Sequence, residues 1–552
     1  MPSRRTISER LQTYAQQKRK DMDVAIVACA MFYNLTNDIW TSRITESLLA
    51  LTIHFMTAAY KIRSHPLEIV SFPGNHTGVL IAKMIKSLMI KWGLDPLRLT
   101  KILRDIGSNV VKACDELGVD QLGCVAHSHH LVVSGALSKT RDEVDEMMLI
   151  QAQEIHFDDI EEPEGAKERW VEDPVVKVQV IEQLKDEIEQ LDLKSSPPLK
   201  ASQNVPQPVT VITDVTARWN STHHMLRRLL ELRPALQDFL VGREEFNDVM
   251  IARPTGEMWF SIQCLDRLLV SFNGMTKLLS GEKYGTMPLI LSSLRLVEML
   301  LQKKKVFAKV AGRHEGELYY GPTLRRMHLV RRVRLVLLHK RFSKLPDDVK
   351  SCCLLDRQFA YGKYLHADKK TAAKLILQNK TMRLAGAGVI DFVPNTNVDV
   401  SSGDEDDFAS QILGYTRKPS GQEPESPEEL SLQDKVKEEL KVYFQKCELL
   451  EKTNELENQA RSREKDKREA KLKNALIWWK RNASDFPLLA PVFRKYFGVV
   501  ATSVPFERCF SSAGNAITAR QNRFTGDNTR DSIFLHNNQD EVTDDDESDA
   551  SS

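Results

Sequence analysis

Residues 97–119 read LRLTKILRDIGSNVVKACDELGV. The first part is rich in leucine, carries Thr100 and Ile102, and stops at an acid, Asp105, followed by Gly107, Ser108 and Asn109. A cluster of Asp, Gly, Ser and Asn marks a turn. Beyond it, apolar residues return at helical spacing. A strand, a turn and a helix in that order form the unit of an α/β sheet with helical crossovers.

The flanking sequence extends the pattern. FYNLTNDIW (32–40) and SLLALTIHFM (47–56) read as strands, and TGVLIAKMIKSLMIKWGL (77–94) as a helix capped by Thr77. LGCVAHSHHLVVSGAL (122–137) is β-branched and reads as a further strand. Residues 1–34 are taken as a poorly ordered remnant, because the first 23 are polar and charged. The first part of the α/β core is placed at 35–140 and an acidic, proline-containing linker at 141–205. A mostly helical segment follows at 206–393, then a Ser, Pro, Asp and Glu-rich stretch at 394–430 that is expected to be disordered. Helices resume over 431–540, starting at Ser431 and Asp434, and an acidic tail closes the chain at 541–552.

Composition narrows the class. The 77 Lys and Arg balance 76 Asp and Glu, so contact with a polyanion has to come from local patches. One such patch is LRRMHLVRRVRLVLLHKRFSK (324–344). Eight scattered cysteines without a CxxC pair suit a reducing compartment. The longest apolar run, VAIVACAMFYNL (24–35), is too short to span a bilayer, so no membrane association is expected.

Several residues carry candidate chemistry. Asp38 closes one strand and Asp105 another, and the carboxyl ends of strands are where α/β sheets place their sites. Converging carboxylates are hard ligands for Mg²⁺ or Mn²⁺. Each acid alone could equally be a turn or cap residue. Cys124 and His127 form a Cys-x-x-His pair, but His129 and His130 are the only nearby candidates to complete four ligands, so no structural zinc is expected. Arg218 and Trp219 stand side by side at a helix start, where a ring can stack on a base beside a phosphate-binding guanidinium. Glu507 lies in the apolar, small-residue run of ATSVPFERCFSSAGN (501–515), where a lone carboxylate is costly to bury.

The blocks NDIWTSRITESLLALTIHFM, SFPGNHTG, RDIGSNVVKACDELG, CVAHSHHLVV, DVTARWNSTHHMLRRLLELR, ALIWWKRNASDFPLLAPVFRKYF and ATSVPFERCFSSAGNAITARQNRF occur in this order. Together they resemble the hAT superfamily of cut-and-paste DNA transposases, including BED-finger proteins derived from them. The resemblance implies an RNase H-like catalytic fold interrupted by a large, mostly α-helical insertion, with a C-terminal helical dimerisation region. It implies that Asp38, Asp105 and Glu507 are the catalytic, metal-binding acids for Mg²⁺ or Mn²⁺. It further implies that Trp40 supports that site, that His127 lies near the cleaved strand, and that Arg218 and Trp219 contact DNA. The expected partners are DNA and a second copy of the chain, through 431–540, and the expected location is the nucleus. The aromatic set Trp478, Trp479, Phe486, Phe493 and Phe497 reads as either a core or an obligate interface.

Two departures bear on activity. Only 37 residues precede Asp38, without the Cys and His content of a zinc finger, so the expectation is that specific binding to transposon ends is lost or that the chain is a fragment. The family's LDPR signature has its nearest counterpart in LLDRQF (354–359). The resemblance therefore leaves two functional expectations: metal-dependent DNA strand cleavage and transfer, or a domesticated, catalytically inactive dimeric nuclear scaffold or transcription regulator.

Overall fold

The computed structural model describes residues 3–41, 47–138, 219–240, 254–360, 365, 367–387, 431–458, 474–504 and 526–538. Five strands form one mixed sheet: β1 (Tyr33–Thr41), β2 (Ser47–Met56), β3 (Ile62–Ser71), β4 (Leu99–Arg104) and β5 (Gln121–Gly123), in spatial order β3-β2-β1-β4-β5. The first three run antiparallel as a meander, while β1, β4 and β5 are parallel. The parallel joins are made by helices, α2 (Gly78–Lys91) before β4 and α3 (Ser108–Leu117) before β5. Thr77 caps α2, accepting the Leu80 N–H at 3.4 Å. Gly118 ends α3 at φ +63°, a left-handed conformation that glycine adopts without strain.

Strand alternation sends successive side chains to opposite faces. Tyr33, Leu35, Ile53, Phe55 and Ile102 enter a core built with α1 (Arg4–Cys29), α2 and α3. Leu103 and Met56 belong to a second, larger core on the other face. That core is made with α4 (Val125–Ser138), α5 (Trp219–Leu240), α6 (Gly256–Leu279), α7 (Leu289–Gln302), α8 (Tyr320–Phe342), α9 (Asp347–Cys352) and α10 (Ala367–Gly386). It also takes in α11 (Leu432–Asn458), α12 (Asn474–Asn482) and α13 (Leu489–Phe497). The last described helix, α14 (Gly526–Asn537), packs on α1 and on β3.

Three segments differ from the sequence expectation. Residues 4–29 form a helix that buries Ala15, Met22 and Ile26 against the sheet, rather than a poorly ordered remnant. These three, seven and four residues apart, fall on one face, while Tyr14, Val24 and Val27 of the same helix stay exposed. The segment 125–138, read as a strand, is helix α4, because β5 ends at Gly123 and Cys124 turns the chain. β3 is an unforeseen strand that carries Pro66, and it is an edge strand, where a missing N–H is tolerated. The linker and acidic segments at 141–205 and 394–430 and the tail at 541–552 lie outside the described residues.

The C-terminal aromatics are core. Trp479, Phe486 and Phe493 are fully buried, and Trp478 and Phe497 nearly so. The Trp479 indole donates to Leu355 O at 2.8 Å, and the Tyr443 hydroxyl to Leu354 O at 2.9 Å. Both carbonyls belong to the turn Cys353–Leu355, so the preceding helical segment supplies the surface that this cluster needs.

Candidate functional site

Asp38 and Asp105 come from neighbouring parallel strands. Asn34 pairs with Lys101, Leu35 with Ile102 and Thr36 with Leu103, and continuing that register by two residues sets Asp38 opposite Asp105. Both fall on the face to which Leu103 points, the face carrying the larger helical core. Adjacent strands lie about 4.8 Å apart, so the two acids leave the sheet side by side at the carboxyl ends of β1 and β4.

The surroundings keep both acids partly accessible. Asp38 is half-buried, and its Oδ1 accepts the Ile39 N–H at 2.9 Å. Asp105 is half-buried, and its Oδ1 accepts the Gly107 N–H at 3.0 Å. Gly107 precedes the first turn of α3, whose N-terminal dipole favours a negative charge there. A Cβ at residue 107 would stand 3.1 Å from Asp105 Oδ1, so the carboxylate occupies the space that glycine leaves.

Below the acids, the same sheet face is polar, and part of it is hydrogen-bonded, while Asn34 and Thr52 have no side-chain partner among the described residues. Thr36 Oγ1 and Ser64 Oγ flank the His54 ring at 3.1 and 2.8 Å, forming a row across β1, β2 and β3. Burial and the neighbouring His65 push the His54 pKa down to about 3, so His54 is neutral and structural. This row was not anticipated from the sequence, because its members are 10 and 18 residues apart and meet only through strand pairing.

Cys124 lies beside the end of β4 that carries Asp105, and His127 follows three residues on. The Cys124 N–H donates to Arg104 O at 2.7 Å, extending the ladder between β4 and β5 to the residue before Asp105. Cys124 is buried, and its Sγ accepts from Ser503. His127 lies in the first turn of α4, half-exposed, with its ring 6.1 Å from that of His130. Burial and the His127 charge lower the His130 pKa. His129 points the other way, fully buried between Phe272 and Phe342, and burial drives its pKa down to about 3.

The remaining candidates are only partly within view. Trp40 pairs with Leu48 in the strand register, two residues beyond Asp38, and Trp219 opens α5. Arg218 and Glu507 lie outside the described residues. Among the described residues no three His, Cys, Asp or Glu side chains cluster as a metal set, and no helix is long and apolar enough to cross a membrane. Asp38 and Asp105 do fit a hard divalent ion, being two ionisable oxygen donors on adjacent strands with access to solvent.

Two family descriptions match this chain: the ZBED1 RNase-like domain over residues 36–130 and the hAT family C-terminal dimerisation region over 440–539. The first contains Asp38 and Asp105 together with the sheet that sets them side by side. A Zea mays protein named as an AC transposase is 22% identical over 510 residues, covering 89% of this chain and 54% of that protein. A second from Zea mays, named as an AC9 transposase, is 21% identical over 538 residues, covering 89% and 55%. A Talaromyces stipitatus protein named as transcriptional regulator tpeD is 22% identical over 321 residues, covering 55% and 36%. The chain is therefore transposase-like, and over these residues it is similar to hAT-family proteins. It spans about half the length of the two maize relatives.

Proposed function

We propose that the chain is a hAT-transposase-derived, DNA-binding and self-associating nuclear protein with metal-dependent DNA strand cleavage and transfer activity. On this reading the sheet is RNase H-like, the helices between α4 and α11 are an insertion, and the 440–539 region mediates association of copies. The observation that carries it is the parallel register of β1 and β4, which, continued two residues past Thr36 and Leu103, brings Asp38 and Asp105 to one level on one face. A matched RNase-like description over the same residues and the names of the maize relatives support it.

In this site Asp38, Asp105 and Glu507 would hold Mg²⁺ or Mn²⁺. When bound, such ions activate a water or hydroxyl and stabilise the leaving oxygen of a phosphodiester. Asp105 would keep its orientation through the Gly107 N–H, leaving its second oxygen for ligation. Val504 is the described residue nearest Glu507 in sequence, and the three-residue step between them spans at most about 11 Å. His127 and Trp40 would border the cleaved strand, and Arg218 and Trp219 would contact DNA.

Nicking of supercoiled DNA by the full chain in Mg²⁺ or Mn²⁺, compared with Asp105→Asn, tests the activity. Metal-dependent nicking lost in the variant is expected; no nicking by the wild type under either metal would sink the proposal. A second reading, a catalytically silent regulator, is favoured by the relative named as a transcriptional regulator. It requires DNA or protein binding that is unchanged by loss of the three acids.

A further inference from the structure

The chain is almost neutral overall, yet its charge is unevenly placed. Between Lys303 and Lys344 it carries thirteen Lys and Arg against only two acids, Glu315 and Glu317. The structure shows how this excess is arranged. Arg325, Arg332 and Lys340 lie on α8 at intervals of seven and eight residues, two helical turns each, so they share one face. All three are exposed. From Arg325 to Lys340 the row is about 22 Å long at 1.5 Å per residue. Arg331 Nη1 donates to Lys303 O at 2.8 Å, which ties the exposed turn Lys303–Lys305 to α8 one residue from Arg332.

Among the described residues, Arg325, Arg332, Lys340 and Lys303–Lys305 make no ion pair with a carboxylate. Their neighbours show the contrast: Arg326 pairs with Glu257 at 3.2 Å, and His339 with Glu298 at 2.8 Å. The crowding is felt locally, since burial and then the Arg332 charge lower the Arg331 pKa. The row carries no exposed aromatic or large aliphatic anchor between its cations, which a protein interface would need at its centre. Regular, unpaired, solvated cations over some 20 Å instead suit a line of phosphates.

We infer that this face of α8, with the Lys303–Lys305 turn, is a sequence-independent contact surface for the backbone of duplex DNA. The inference rests on the DNA-directed reading above, and adds to it where a duplex lies on the helical segment. Each cation that neutralises a phosphate releases counterions, so log K falls with log salt by about 0.9 per contact on duplex DNA.

The test measures affinity of the full chain for a labelled 25-base-pair duplex of arbitrary sequence between 50 and 200 mM NaCl, for wild type and for Arg325→Gln/Arg332→Gln/Lys340→Gln. The three side chains are exposed, so circular dichroism should be unchanged in the variant. The expected result is a salt slope shallower by about 3 and, at 100 mM salt, affinity at least about tenfold weaker on every sequence. An unchanged slope in the variant overturns the inference, as does stronger binding to duplex RNA or to anionic vesicles than to DNA. Absence of nicking with a reduced slope in the triple variant would thus remove the catalytic reading and leave this surface standing.

Discussion

Ser503 donates both its amide and its hydroxyl to Cys124 Sγ, each at 3.4 Å, although 379 residues separate the two. The Cys124 N–H in turn holds Arg104 O, and the Val125 N–H holds Ala501 O at 3.0 Å. One residue therefore clasps the C-terminal segment to the strand end that carries Asp105. Cys124→Ala removes the acceptor and is expected to cost about 1 kcal/mol, with faster hydrogen exchange in peptides covering 499–504. Cys124→Ser, which restores an acceptor, should recover most of the protection. Equal exchange in wild type and the alanine variant would refute the clasp.

The second prediction concerns Lys101, a buried cation four residues before Asp105 on β4. Its Nζ pairs with Asp348 of α9, which also pairs with Lys380 of α10, and the Lys380 Nζ donates to the Tyr496 hydroxyl of α13 at 3.0 Å. Sheet, helical segment and C-terminal region thus meet at one carboxylate. Burial alone would raise the Asp348 pKa, but the two lysines outweigh it and hold it below the usual range. Asp348→Ala leaves buried Lys101 with only the exposed Asp120 carboxylate at 3.7 Å, and about 3 kcal/mol of stability should be lost in urea titration. Because the folded pKa is depressed, the contribution of Asp348 is present above the ordinary carboxylate value near 3.9 and disappears as pH falls through the folded value. A variant as stable as wild type at pH 7 would show the cluster to be neutral in energy.

A third prediction runs with the opposite sign. Glu439 of α11 accepts the N–H of Leu488 at 3.0 Å and of Leu489 at 2.8 Å, capping α13 from another helix. Burial pushes its pKa up to about 7, while the two backbone donors work in the other direction. The native state then keeps a proton that the unfolded chain releases above about 4.3. Its contribution is complete below that value and declines as pH rises towards 7. Glu439→Gln stays neutral throughout and keeps a carbonyl acceptor. The variant should therefore gain on the wild type between pH 4.5 and 7.5, measured by urea unfolding at each pH, and a constant difference would contradict the raised pKa.

How far the sequence carries the fold can be seen residue by residue. β1, β2, β4 and α2 were legible because each shows its own period and its own stop signal, such as Thr77 before α2 and Asp105 after β4. α4 was misread because VAHSHHLVV has strand composition; what decides it is the turn at Cys124 and the helical surroundings, both tertiary. The acids were legible as strand ends. That Asp38 and Asp105 come to stand side by side depends on a register between residues 67 apart in sequence, and no local pattern encodes it. The partners of Lys101 and Cys124 were invisible for the same reason, although a lysine in the strand LTKILR is itself a hint that a buried acid will be found opposite.

The last prediction follows from Arg334, on the buried side of α8. Its side chain is fully enclosed, and among the described residues none of Nε, Nη1 and Nη2 has a hydrogen-bond partner. Met327 and Leu338, two turns and one turn away on the same side of the helix, are part of the large core. Burial lowers the guanidinium pKa to about 10, which still leaves it charged at neutral pH. An enclosed charge without a counter-ion or acceptor is a net cost to the fold, because the hydration it loses is not replaced. Arg334→Met keeps the length and apolar stem of the side chain and removes the charge. It is expected to raise stability by about 1–4 kcal/mol, seen as a higher urea midpoint at unchanged slope. Arg334→Lys retains a charge and should fall below the methionine variant. A loss of stability in Arg334→Met would mean that the guanidinium has a partner in solution, and the search for it would begin with an acidic segment of this chain or a bound anion.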